Sequence, residues 1–98
     1  MQKMEQFLSE QKEFSEKVFI HGTTSSVMEH LRRETREIER KPDDLSEWAD
    51  VFLLFLDGLW RNGFTFTQLF KAAQTKLKIN KSRKWKKPDA QGVVEHVK

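Results

Sequence analysis

Four carboxylates in this chain stand at spacings that suit a divalent cation. Glu34 and Glu37 are three residues apart, and so are Glu47 and Asp50. A helix presents positions three apart from the same side. Asp57 continues the second pair's face one helical repeat further on. Glu34 is the unusual member. Counted from Val27, positions 27, 31, 34 and 38 share one helical face, and Val27, Leu31 and Ile38 are apolar. Two such pairs on successive helices can face each other, bringing four acids into a partly apolar setting. Without compensation this opposes folding, because burial and like charge both penalise ionisation. A divalent cation removes the conflict. Mg²⁺ prefers oxygen ligands, uses few carboxylates, and leaves positions for water or phosphate oxygens.

A second group has the opposite charge. Lys76, Asn80 and Arg83 follow one edge of an apolar stripe made by Phe66, Leu69, Phe70, Ala73 and Leu77. Donors of this kind beside metal-binding acids meet the needs of a polyphosphate. The charge is segregated accordingly. Residues 1–70 carry nine Lys or Arg against thirteen Asp or Glu, and residues 71–98 carry nine against two. Plainer readings exist for each group. Charged pairs three apart are common on solvated helices, Arg33 can pair with Glu37, and a basic column can simply face solvent. His21, His30 and His96 lack a spacing that joins them to the acids, although His30 lies four before Glu34. Trp48, Trp60 and Trp85 read as packing residues. The chain has no cysteine, no Gly-rich phosphate loop, no nucleophile elbow and no zinc motif.

The elements that must position these groups are helices. Glycine occurs only at 22, 58, 63 and 92 and proline only at 42 and 88, which leaves long segments of helical periodicity. The first helix is expected over about 3–19, with Met4, Phe7, Phe14 and Val18 on one face, Gln11 among them, and His21-Gly22 as its end. The second is expected to begin after the capping run TTSS and reach about Lys41, where Pro42 stops it. The third starts at Asp44, whose spacing to Glu47 fits a capping box, and ends at Asn62-Gly63. It is apolar nearly all round, as a central helix must be. The fourth runs from about Thr65 to Ser82. Short loops make sequential helices antiparallel. The fold class is therefore all-α: one four-helix domain over 1–85 and a loose basic tail over 86–98, with VVEHV as a short docking segment. At 98 residues the core is small, and oligomerisation is expected to complete it. No apolar run approaches a membrane span and the N-terminus lacks a signal design, so a cytoplasmic protein without membrane contact is expected.

ExxE, ExxD on the next helix and then KxxxNxxRxW together resemble the MazG-like all-α nucleoside triphosphate pyrophosphohydrolases. The match runs from about His21 to Trp85. HLRRETREI, PDDLSEWADVFLLFLDG and KLKINKSRKW resemble its dATP/dGTP diphosphohydrolase branch, common in phages and bacteria. The resemblance implies that Glu34, Glu37, Glu47 and Asp50 bind Mg²⁺, with Mn²⁺ as a substitute. It further implies that Lys76, Asn80 and Arg83 face the nucleotide and its phosphates. The implied reaction is cleavage between the α and β phosphates of a nucleoside triphosphate, purine dNTPs foremost, giving a monophosphate and pyrophosphate. Glu37, at the edge of the apolar stripe, is expected to orient or deprotonate the attacking water, with Glu47 and Asp50 as the other catalytic acids; the implied assembly is a homodimer or homotetramer. Two departures stand out. The family's EExxE has Arg33 in place of its first Glu, and the interval from Glu37 to Glu47 is short, which leaves the connecting loop little part in base recognition. Two other readings of the chain are a small basic nucleic-acid-binding module, resting on KINKSRKWKK, and a catalytically inactive dimerisation or regulatory module. The first leaves the four acids unexplained; the second leaves Glu34 and Asn80 unexplained.

Overall fold

A computed structural model of the chain describes residues 2–19 and 22–98. It contains α1 (Met4–Val18), α2 (Thr24–Arg40), α3 (Leu45–Arg61) and α4 (Phe66–Ser82). Among the described residues there is no strand, and no helix is long and apolar enough to cross a membrane. The chain divides into two compact units, Met1–Phe66 and Thr67–Lys98.

In the first unit α3 packs against both α2 and α1. Local chemistry sets the helix ends. Thr23 caps α2 three residues earlier than the sequence suggests, because its hydroxyl accepts from Ser26 N while Ser26 Oγ accepts from Thr23 N. That reciprocal box satisfies two otherwise orphaned N–H groups. Asp44 caps α3 through Ser46 rather than through a box with Glu47, which leaves the Glu47 carboxylate for other contacts. At the far end Gly63 has φ +78°, and Gly63 N and Phe64 N return to Trp60 O and Leu59 O. This is the glycine-dependent helix stop the sequence predicts.

The helices α2 and α3 run antiparallel. Asn62 Nδ2 at the end of α3 donates to Thr24 Oγ1 at the start of α2 at 3.0 Å. Gly58 lets them approach closely: a Cβ there would lie 3.3 Å from Val27 Cγ1. Val27, Leu54 and Leu56 form the buried apolar core, Leu56 completely. Arg61 ties the α1–α2 connection down, donating from Nη1 to Gly22 O and from Nη2 to Phe19 O. Gly22 makes room for the Arg61 guanidinium: a Cβ there would lie 3.0 Å from Nη2. His21 lies outside the described residues.

α1 docks differently from its apolar pattern. Gln11 and Ser15 are its buried residues, whereas Met4, Phe14 and Val18 are each more than half exposed. The reason is polar: Asp57 and Trp60 of α3 offer partners that only Gln11 can meet.

In the second unit α4 buries no residue, and its Phe70 and Leu77 stay exposed. The segment beyond it is not the loose tail that its composition suggests. Lys86 N donates to Glu95 O and Val97 N to Lys84 O, which places Trp85 opposite His96 in an antiparallel bridge. The turn is built by Asp89, whose Oδ1 accepts from Gln91 N and Val93 N, and by Gly92 at φ +81°. An Asp that bonds its own following backbone and a glycine at positive φ are turn-forming residues, so PDAQGV folds the chain back.

Candidate metal centre

Glu34 rises from α2 and Glu47 and Asp50 from α3. Each brings one carboxylate oxygen within 4.8 Å of the other two. Opposite ligands of a Mg²⁺ ion with 2.1 Å bonds are about 4.2 Å apart, so only a small contraction would seat one. The stripe that raised the question about Glu34 is real: Val27 is buried, Leu31 and Ile38 are half-buried, and the Glu34 side chain is 25% exposed. His30 Nε2 stands 3.5 Å from Glu34 Oε1, one turn back along α2.

The electrostatics of the cluster show at Glu47. Glu47 is pushed above its ordinary 4.5 by burial first, then by the charges of Asp44, Asp50, Glu37 and Glu34. Hard oxygen donors gathered this closely fit a small divalent cation. Glu37, the fourth acid expected here, is close enough to act on Glu47 but is not one of the converging three. Arg40 one turn along α2 holds its carboxylate at 2.6 Å. Arg33, a possible partner for Glu37 from spacing alone, pairs with Glu29 instead. Asp57, further along the acid face of α3, is buried and accepts from Gln11 Nε2 at 2.8 Å.

Of the basic group, Asn80 and Arg83 come together in the second unit, with Arg83 Nη1 3.5 Å from Asn80 Oδ1. Trp85 Nε1 donates to Asn80 O at 2.9 Å, and its ring meets His96 edge-on at 5.9 Å. Lys76 lies exposed on α4. The indole of Trp48 donates to Pro42 O, and that of Trp60 to Gln11 Oε1.

A cavity of about 290 Å³ adjoins the acids. Gln11, Phe14, Phe19, His30, Leu53, Leu54 and Asp57 line it together with Glu34 and Asp50. The contribution of α1 is what spacing along α2 and α3 does not reveal. Its one sequence signal is Gln11, a polar residue in an apolar face.

The sequence profile of the dATP/dGTP pyrophosphohydrolase family matches residues 7–98. The chain belongs to that family. Membership makes it a pyrophosphohydrolase, and hence a hydrolase, of MazG-like type. Among solved structures it is similar to the cyanophage S-2L MazG-like pyrophosphohydrolase, which is bound to dGDP and three catalytic Mn²⁺ ions per active site. The two share 23% identity with a TM-score of 0.79 over the whole of both chains. At that identity the likeness establishes the fold, a MazG-like all-α arrangement. No curated protein matches the chain.

Proposed function

We propose that this MazG-like pyrophosphohydrolase is Mg²⁺-dependent and splits the α–β phosphate bond of purine deoxynucleoside triphosphates, giving a monophosphate and pyrophosphate. The observation that carries this reading is the cluster of Glu34, Glu47 and Asp50 within 4.8 Å, in a chain of the dATP/dGTP pyrophosphohydrolase family. Those three side chains hold the cation. When bound, it supplies a Lewis acid that polarises phosphate oxygens and acidifies water. The Mn²⁺ ions of the structural relative support a divalent cation, with Mn²⁺ able to replace Mg²⁺.

The remaining roles fall to the chain's own groups. Glu34 is held in its stripe by a rigid helix, with His30 against one oxygen. Glu37 orients the attacking water and takes its proton, exchanging its bond to Arg40 for one to the water. Lys76, Asn80 and Arg83 bind the phosphates and offset the charge that the leaving pyrophosphate carries. The unit of activity is a homodimer or homotetramer. Support for this comes from α3, where Leu45, Trp48, Phe52 and Phe55 are all exposed; large apolar side chains gathered on one helix favour cover by a second copy.

The test is product analysis with a panel of dNTPs and NTPs, in Mg²⁺ and in EDTA. Pyrophosphate with a monophosphate, in Mg²⁺ only, is the expected result. Glu47→Ala is expected to abolish release while the helical circular dichroism is retained. Normal activity in that variant would refute the site.

A further inference from the structure

The metal reading gives Asp57 no role, yet Asp57 is the most buried acid among the described residues, 5% exposed. It stands seven residues beyond Asp50, about 10.5 Å along the helix axis. That is the reach of a nucleotide from its phosphate to the far edge of its base. Asp57 and Asp50 line the same cavity of about 290 Å³, together with Phe14, Phe19 and Leu53. The volume is at the low end for a small-molecule site.

The orientation of Asp57 is set from outside the cavity. Trp60 Nε1 donates to Gln11 Oε1 at 2.5 Å. An indole only donates, so the Gln11 oxygen must face Trp60 and its amide hydrogens must face the other way. They are spent on Asp57 Oδ1 at 2.8 Å and Leu53 O at 3.4 Å. Asp57 Oδ2 has no donor among the described residues. Oδ2 is not one of the buried polar atoms that lack a partner, so it is reachable from solvent and costs little to leave open. The arrangement therefore leaves an open acceptor on a residue that lines the cavity together with Phe14, Phe19 and two of the clustered acids.

We propose that this cavity takes the base of the nucleotide and that Asp57 is the residue that selects guanine. Guanine carries N1–H and the 2-amino group side by side, and a carboxylate accepts both. Adenine turns an unprotonated N1 toward the same oxygens, where lone pair meets lone pair. Phe14 and Phe19 supply apolar faces for the purine rings, as aromatic residues do in other base sites. The proposal rests on the reading of the acid cluster as a nucleotide-processing site and adds the base to it.

The experiment pairs turnover with binding. Pyrophosphate release is measured for dGTP, deoxyinosine triphosphate and dATP, and calorimetry in Mn²⁺ follows binding of the corresponding diphosphates. Expected for the native chain is the order guanine, hypoxanthine, adenine in both assays, with guanine about 100-fold ahead of adenine, as one or two bonds to a charged acceptor allow. Hypoxanthine keeps N1–H and lacks the 2-amino group, so it falls between. Asp57→Asn is expected to lower kcat/KM for dGTP by about 10- to 100-fold and to raise it for dATP, whose N1 can then accept from the amide N–H, closing the ratio. Equal treatment of dGTP and dATP by the native chain overturns the proposal, as does an unchanged ratio in Asp57→Asn. If that variant fails to fold, the base order of the native chain decides. Release of pyrophosphate without base preference refutes the role of Asp57 and keeps the hydrolase. Guanine-selective binding without release from any nucleotide does the reverse.

Discussion

Glu34→Gln tests most directly whether the three acids are a metal centre or a solvated charge cluster. One ligand comes from α2 and two from α3, and the unfolded chain does not hold position 34 near 47 and 50. Cation binding therefore stabilises the folded state almost alone. At free Mg²⁺ or Mn²⁺ one hundred times its dissociation constant, the stabilisation is about 2.7 kcal/mol. For a domain of this size each kcal/mol raises the unfolding temperature by about 4–8 °C, so the expected rise is about 11–22 °C. The substitution keeps the size of the side chain and removes one charged ligand together with its contact to His30. Loss of an outer-shell partner alone can weaken metal affinity by about 100-fold. A loss of that size leaves the same cation concentration near its new dissociation constant, worth about 0.4 kcal/mol, a shift of about 2–3 °C. Without metal the variant is expected to be no less stable than the native chain, since one of three like charges is gone. Thermal unfolding followed by far-UV circular dichroism, with and without cation, reads all four values. A native chain that ignores Mg²⁺ and Mn²⁺, or a variant that shifts as far as the native chain does, would refute the metal centre.

Two further outcomes follow from the same coordinates. Glu47 has its folded pKa raised above 4.5, so the folded state binds that proton more tightly than the unfolded state does. Its contribution to metal-free stability is fully present below about 4.5 and is lost as pH rises through the raised value; Glu47→Gln should remove this component from a pH series of unfolding temperatures in EDTA. Glu29 and Asp44 act with the opposite sign, because Arg32 and Ser46 respectively hold them below 4.5 and 3.8. Their contributions fade as pH falls, and they are common to both chains in that comparison, so they cancel. Leu56→Ala, at an apolar side chain fully buried among the described residues, should cost about 2–5 kcal/mol by urea unfolding.

The parts of this molecule that one helix decides by itself were legible in its sequence. The Val27, Leu31, Glu34, Ile38 stripe and the stop at Asn62-Gly63 follow from 3.6-residue periodicity and capping chemistry, and the short α2–α3 connection then lets Glu34 meet Glu47 and Asp50. Misreadings arose where a choice between partners decided the outcome. Spacing allows Glu37 to join the acids or to take an arginine, and Arg40 wins because it lies one turn away on the same helix. Spacing lets Asp44 cap α3 with Glu47 or with Ser46, and Ser46 wins, which frees Glu47 for the cluster. The apolar face of α1 predicted docking through Phe14 and Val18, but α3 presents Asp57 and Trp60, and burying those two unpaired would cost more than exposing two apolar side chains. One substitution in the sequence pattern, Gln11 among the apolar residues of α1, thus sets how α1 docks and what lines the cavity beside the acids. The same logic explains why the sequence pattern brings out the converging acids and not the cavity beside them. The acids belong to short patterns on two successive helices, Glu47 and Asp50 three apart on one of them, whereas the cavity is assembled from α1, α2 and α3 across more than forty residues of chain.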